Sequence, residues 1–197
     1  MKPWSAFASC GSSARGAGAA LVLGIALWVV RRSPWLTWLG VTLALPVVAL
    51  SMVMVVAPRP ELMIAAAALE SVFYFYAAGS LIAYMLQDRK VAADELFAAG
   101  ATFTLLAWAF AYTFVVCQGL QAGSFGHGAG ETARSWTELL YCSVVVLSGV
   151  GLSDIMPVTP MARALVMLES FAGIMYIALV VSRLIMLTGD SRVRPHP

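Results

Sequence analysis

The residues with the most chemistry to offer form one run, Leu147-Ser148-Gly149-Val150-Gly151-Leu152-Ser153-Asp154. It follows a short apolar stretch that cannot cross a membrane as a helix and precedes an apolar segment long enough to do so. Irregular backbone at membrane depth survives only inside protein or along a wet cavity, since hydrocarbon offers peptide groups no hydrogen bonds. A Gly-Val-Gly strand in this setting therefore implies a pore or a vestibule.

Other chemistry is poorly provided for. The histidines are His127, in a Gly-rich loop, and His196, near the C-terminus. The cysteines Cys10, Cys117 and Cys142 are odd in number and unrelated in spacing, without a metal-ligand pattern. Cys117 and Cys142 fall in apolar segments and read as small buried residues. No nucleophile–base pair, metal cluster or cofactor motif emerges, so no catalytic residue is assigned and an enzyme is not expected. A net charge of +2 is too small and too dispersed for nucleic acid.

The 197 residues are 61% apolar and 11% charged, against about a quarter charged in soluble domains. This composition defines an integral all-α membrane protein. Spanning a bilayer takes about 20 apolar residues as a helix, and runs without charge pairs mark the candidates. They are 16–30, which is short, 35–57, kinked by Pro46, 62–87 with Glu70, 96–120, and a last segment at 164–187 with Glu169 and Arg183. About five membrane segments result. Lys2 and Arg15 precede the first of them, but Arg31-Arg32 rather than a cleavage site ends it, so it reads as retained.

Basic residues set the orientation. Arg31-Arg32, Arg89-Lys90 and Arg183 with Arg192 and Arg194 are expected on the cytoplasmic side, which puts the C-terminus inside and the loop 121–163 outside. Within that loop Gln121–Gly130 is Gly-rich and breaks any helix. Ser135 and Glu138 then have the spacing of a capping box, opening a helix over 136–147 that Gly149 and Gly151 end.

Residues 94–187 resemble the pore module of bacterial ion channels of the potassium-channel superfamily. The likeness rests on Tyr141-Cys142-Ser143, on the run ending in Asp154, on Pro157-Val158-Thr159-Pro160 with Arg163, and on Leu168-Glu169 followed by Gly173. It implies N-terminal membrane helices over 1–93, an outer helix at 96–120, a re-entrant pore helix at 136–147, a filter at 149–153, an inner helix at 161–187 and a short cytoplasmic tail at 188–197. It also implies a homotetramer in the inner (plasma) membrane, with K+ or Na+ as permeant ligands at the carbonyls of Gly149, Val150 and Gly151. The family pattern Thr-Val-Gly-Tyr-Gly-Asp is degenerate here. Gly149 stands for the threonine, Leu152 for the tyrosine and Ser153 for the second glycine, while Val150, Gly151 and Asp154 remain.

In the family both filter glycines are left-handed, so Ser153 would carry a positive φ at a cost of about 1 kcal/mol or more. These changes loosen the filter and imply weak or unusual selectivity. Asp154 would ring the outer mouth or brace the strand from behind. Glu169 would lie behind the filter, paired with Ser143, Ser148 or Ser170, or else line the cavity. Gly173 stands where the inner helix bends in the family, or where it packs closely, and Ile174, Ile177 and Val181 would give the cavity an apolar wall that closes by dewetting. No run of arginines at every third position supports a voltage sensor. The alternative function is a non-conducting channel-fold scaffold that pairs with another, unidentified channel subunit.

Overall fold

The computed structural model describes residues 60–87, 93–126 and 133–190. The expected segments at 16–30 and 35–57, and His127, lie outside the described residues, as do all the basic residues used for orientation except Arg183. Four helices make up the described fold: α1 (Pro60–Gln87), α2 (Ala93–Leu120), α3 (Trp136–Leu147) and α4 (Pro160–Asp190). Among the described residues there is no strand, only an isolated bridge between Phe125 and Pro157. Three helices carry apolar spans long enough to cross a membrane, Leu62–Leu86, Leu96–Leu120 and Pro160–Arg183. With 12 residues, α3 reaches about 18 Å, little more than half of a bilayer core.

The antiparallel pair α1/α2 is glued by aromatic rings. Tyr74 stacks on Tyr112 with centroids 5.6 Å apart and meets Trp108 edge-on. Trp108 in turn meets Trp136, the first residue of α3, at 5.0 Å. Offset and edge-to-face pairs of this kind add to area burial because the ring edge is positive and the face negative. The run Phe73-Tyr74-Phe75-Tyr76 is therefore packing, with Phe73 and Tyr74 buried in this cluster. Ser71 adds a hydroxyl bond to the Ala109 carbonyl at 3.0 Å, the kind of side-chain link that membrane helices use between them.

Both ends of α3 are held. The side-chain amide of Gln118 donates to the Arg134 carbonyl at 3.0 Å and its oxygen accepts from the Arg134 N–H at 2.8 Å, a two-bond clamp from the end of α2. Ser135 then caps the helix in extended backbone, accepting from the Glu138 N–H, while the Glu138 carboxylate accepts from the Ser135 N–H at 2.7 Å. Behind the helix, Leu139, Cys142 and Ile155 pack on Phe114, Cys117, Phe125 and Ala162.

The segment from the end of the filter to α4 is equally tied. Gly126 N–H donates to the Met156 carbonyl and Val158 N–H to the Ser124 carbonyl, at 3.0 and 2.9 Å. Thr159 caps α4, its hydroxyl accepting from the Ala162 N–H at 3.3 Å, and Pro160 takes the first helical position, where its missing N–H costs nothing. Arg163 anchors this end by donating from Nε to the Pro157 carbonyl at 3.2 Å. At the far end, Tyr176 donates its hydroxyl to the Ala99 carbonyl and Arg183 its guanidinium to the Met85 carbonyl. No apolar pattern announces either bond.

The cap makes a pH-dependent contribution. Hydrogen bonds from Ser135, first from its backbone and then from its side chain, hold the Glu138 carboxyl below the usual carboxylate range. A lowered folded pKa gives stability that is present above the unfolded pKa and lost as pH falls through the folded one. Glu138→Gln should lower stability at neutral pH by about 0.5 kcal/mol, the scale of a charge at a helix N-terminus. In detergent melts from pH 7 downwards the gap from the parent should close below about pH 4; a gap independent of pH would refute it.

Candidate functional site

The site is the non-helical stretch 148–154 that leaves α3, a single strand in no sheet. The C-cap of that helix, Ser148, keeps φ −73° and ψ −12°, and its N–H donates to the Val144 carbonyl at 3.0 Å. Gly149 N–H then donates to Val146 at 3.0 Å and Gly151 N–H to Val145 at 3.3 Å. The last carbonyls of α3, which any helix leaves unpaired, thus absorb donors of the strand. No backbone donor among the described residues is turned onto the oxygens of Gly149, Val150 or Gly151.

Gly149 and Gly151 are left-handed, with φ of 74° and 70°, and no non-glycine residue among those described has a positive φ. A Cβ at either glycine would meet nothing within 4 Å, so conformation rather than crowding requires glycine here. Residues of opposite hand in alternation turn successive carbonyls toward one side, the arrangement by which filter oxygens replace water around a cation. The expected strain at Ser153 is not found. Left-handed backbone occurs two residues earlier, at the positions without a Cβ, and Ser153 instead accepts the Ile155 N–H on its own hydroxyl at 3.1 Å.

The sequence-expected residues fall into two groups. Val150 and Leu152 are exposed, at 61% and 76%, as are Gly149, Gly151 and Asp154, with Ser148 and Ser153 half-buried. Asp154 lines an open cavity of about 700 Å³ with Glu138, Tyr141, Gly151, Leu152 and Ser153. On α4, Ile174, Ile177 and Val181 are also exposed. Glu169 and Gly173 are buried on the side facing α3.

Glu169 is fully buried and does not line a cavity. Of its three candidate partners the structure selects Ser143, whose hydroxyl meets Glu169 Oε1 and also lies 2.8 Å from the Ala107 carbonyl. The Ser143 hydroxyl is shared between these two acceptors, a three-centre relay that runs from Ser143 to Glu169 and to Ala107. It ties α4, α3 and α2 at one point. The other oxygen of Glu169 has no partner among the described residues.

Gly173 faces the Leu147 carbonyl so closely that a Cβ would overlap its oxygen. Close packing under the last turn of α3 is what this glycine does in the present conformation. Sequence reasoning missed one further contact: the Tyr141 hydroxyl donates to the Leu152 carbonyl at 3.0 Å. Tyr141 stood out only as part of a motif, and no spacing rule pairs a helix residue with a strand carbonyl eleven positions on.

Two substitutions test this scaffold. Gly173→Ala should cost 1–3 kcal/mol (about the scale of overpacking) because the obstacle is backbone, whereas Gly79→Ala, in open space, should be neutral or stabilising. Equal melts for both would show that α4 does not sit against α3. Ser143→Ala should cost about 1–3 kcal/mol by orphaning a buried carboxyl, and Glu169→Gln, which keeps an acceptor oxygen for Ser143, should cost less; the reverse order would refute the relay.

Residues 100–189, just under half of the chain, match the family model of ion channels. The match takes in most of α2, all of α3, the strand and nearly all of α4. No curated protein and no solved structure matches the chain. With three helices apolar enough to span a membrane, and with a short helix and glycine strand between two of them, the chain is similar over residues 100–189 to the ion channels, a family of pores and not of enzymes.

Proposed function

We propose that the chain assembles as a homotetramer in the inner (plasma) membrane, its C-terminus cytoplasmic, and passes monovalent cations with weak or unusual selectivity. The observation that carries this reading is the polarity of the strand. Its N–H groups at Ser148, Gly149 and Gly151 are turned into α3, and the left-handed glycines alternate with Val150, so the carbonyls of Gly149, Val150 and Gly151 are the groups left for a ligand. Peptide oxygens are ligands for cations and not for anions. They are offered here without the threonine hydroxyl and tyrosine of the potassium filter, which is why K+ and Na+ are expected to be poorly distinguished.

One copy supplies one wall. Exposed Gly149–Leu152 and the apolar face of Ile174, Ile177 and Val181 would line the path in four copies, and Asp154 would ring its mouth, raising the local cation concentration. Gly173 stays a candidate hinge, since its packing on Leu147 is what would have to part if α4 bent there.

The purified protein in liposomes should carry cation flux, with reversal potentials showing less than strong preference between potassium and sodium. Asp154→Asn should lower that flux at low ionic strength and match the parent at about 1 M salt, where screening shortens to about 3 Å. A strong potassium preference would refute the selectivity claim. No flux from a verified tetramer would refute conduction and favour the scaffold role.

A further inference from the structure

Leu152, near the outer end of the strand, is an exposed aliphatic. The strand nevertheless has a brace. Tyr141, in the middle of α3, reaches across with its hydroxyl to the Leu152 carbonyl at 3.0 Å. The ring borders the same open cavity as Glu138, Ser153 and Asp154, so the bond stands at the outer end of the strand.

Backbone conformation changes at the same residue. Left-handed residues occur at Gly149 and Gly151 and end there, and the next peptide groups form a turn, in which the Ser153 hydroxyl takes the Ile155 N–H. The alternation that turns carbonyls to one side therefore covers Gly149 to Gly151 and is not continued by Ser153. A carbonyl oxygen turned toward a hydroxyl on α3 is also turned away from a ligand on the opposite side of the strand.

We infer that Tyr141 is the positioning residue of the filter's outer end: its hydroxyl draws the Leu152 carbonyl out of the set of oxygens open to an ion, leaving a short stack at Gly149, Val150 and Gly151. This rests on the pore reading proposed above and gives its weak selectivity a cause. Each carbonyl level withdrawn is one site fewer at which an ion must shed water in a fixed geometry, and selection accumulates over such sites. The side chain that sets the length of the stack is thus on the pore helix, outside the filter.

Tyr141→Phe removes one oxygen from a half-exposed ring and keeps its shape, so the fold should be retained. The full-length protein, with an isotopically heavy carbonyl at Leu152, is compared with the variant by infrared spectroscopy and by reversal potentials in liposomes. The Leu152 band should move to higher frequency in Tyr141→Phe, and the sodium-to-potassium permeability ratio should change by about threefold or more, the scale of one net hydrogen bond. An unmoved band overturns the hydrogen bond. A moved band with an unchanged ratio overturns the role in selection and leaves Tyr141 structural. Absence of current in the parent protein overturns the pore reading and the role in selection with it, while the band still reports whether Tyr141 holds the carbonyl.

Discussion

Peptide groups that leave a helix at membrane depth have to find their hydrogen bonds in protein, because hydrocarbon supplies none. Around the end of α3 this constraint shapes nearly everything. The helix stops after Leu147 with its last carbonyls unspent, and Ser148, Gly149 and Gly151 fold back to donate to Val144, Val146 and Val145. Such a return needs left-handed backbone, which falls at the two residues without a Cβ. The oxygens of Gly149, Val150 and Gly151 meanwhile take no backbone donor among the described residues. The cation path proposed above rests on these open oxygens.

A strand of this kind keeps its geometry only if the helix end that receives it does not move. Three contacts from different elements hold α3 in place. Gly173 lets α4 come up against the Leu147 carbonyl, the Glu169–Ser143–Ala107 relay joins three helices one turn above, and Trp136 is wedged into the aromatic cluster of α1 and α2 at the other end. The buried acid is costly in a membrane unless paired, and its pairing across three helices makes its removal a matter of register as much as of charge. The α1/α2 pair thereby acts as the rigid back on which α3 is mounted.

The helices were legible in the sequence because their signals are local. Apolar runs bounded by charge give α1, α2 and α4, and the Ser-x-x-Glu box starts α3 at Trp136. Pro-Val-Thr-Pro supplies both a cap and a first-turn proline for α4. The site was legible in composition and not in conformation. Placing Leu152 and Ser153 on a family pattern put left-handed backbone at Ser153, but steric preference acts residue by residue, and the chain uses the glycines it has, at 149 and 151. Contacts such as Tyr141 with Leu152, Tyr176 with Ala99 and Arg183 with Met85 depend on the rotation and depth of whole helices, which no periodicity encodes. Glu169 was an intermediate case: an acid in a span demands a partner, and three serines were within reach, but only the packing of α3 selects Ser143.

An exposed apolar face on a membrane helix says little about assembly, since lipid covers it as well as protein does. That applies to α4, the least buried of the three spans at 17% against 39% and 50%, with Phe171, Ile174 and Met175 outward. The strand is a different matter. Val150, Leu152 and the glycines beside them are exposed in the single chain, and their peptide oxygens cannot face acyl chains without a cost of several kcal/mol each (roughly, by transfer to a medium that cannot hydrogen-bond). Something polar has to lie against them, water or a cation, and at that depth water needs walls of its own. The chain supplies one such wall and a helix, α4, to stand beside it. In the proposed tetramer, copies of the same surface supply the remainder with the same chemistry on every side. The polar strand, more than the greasy helix next to it, is the argument on which that proposal of a ring stands.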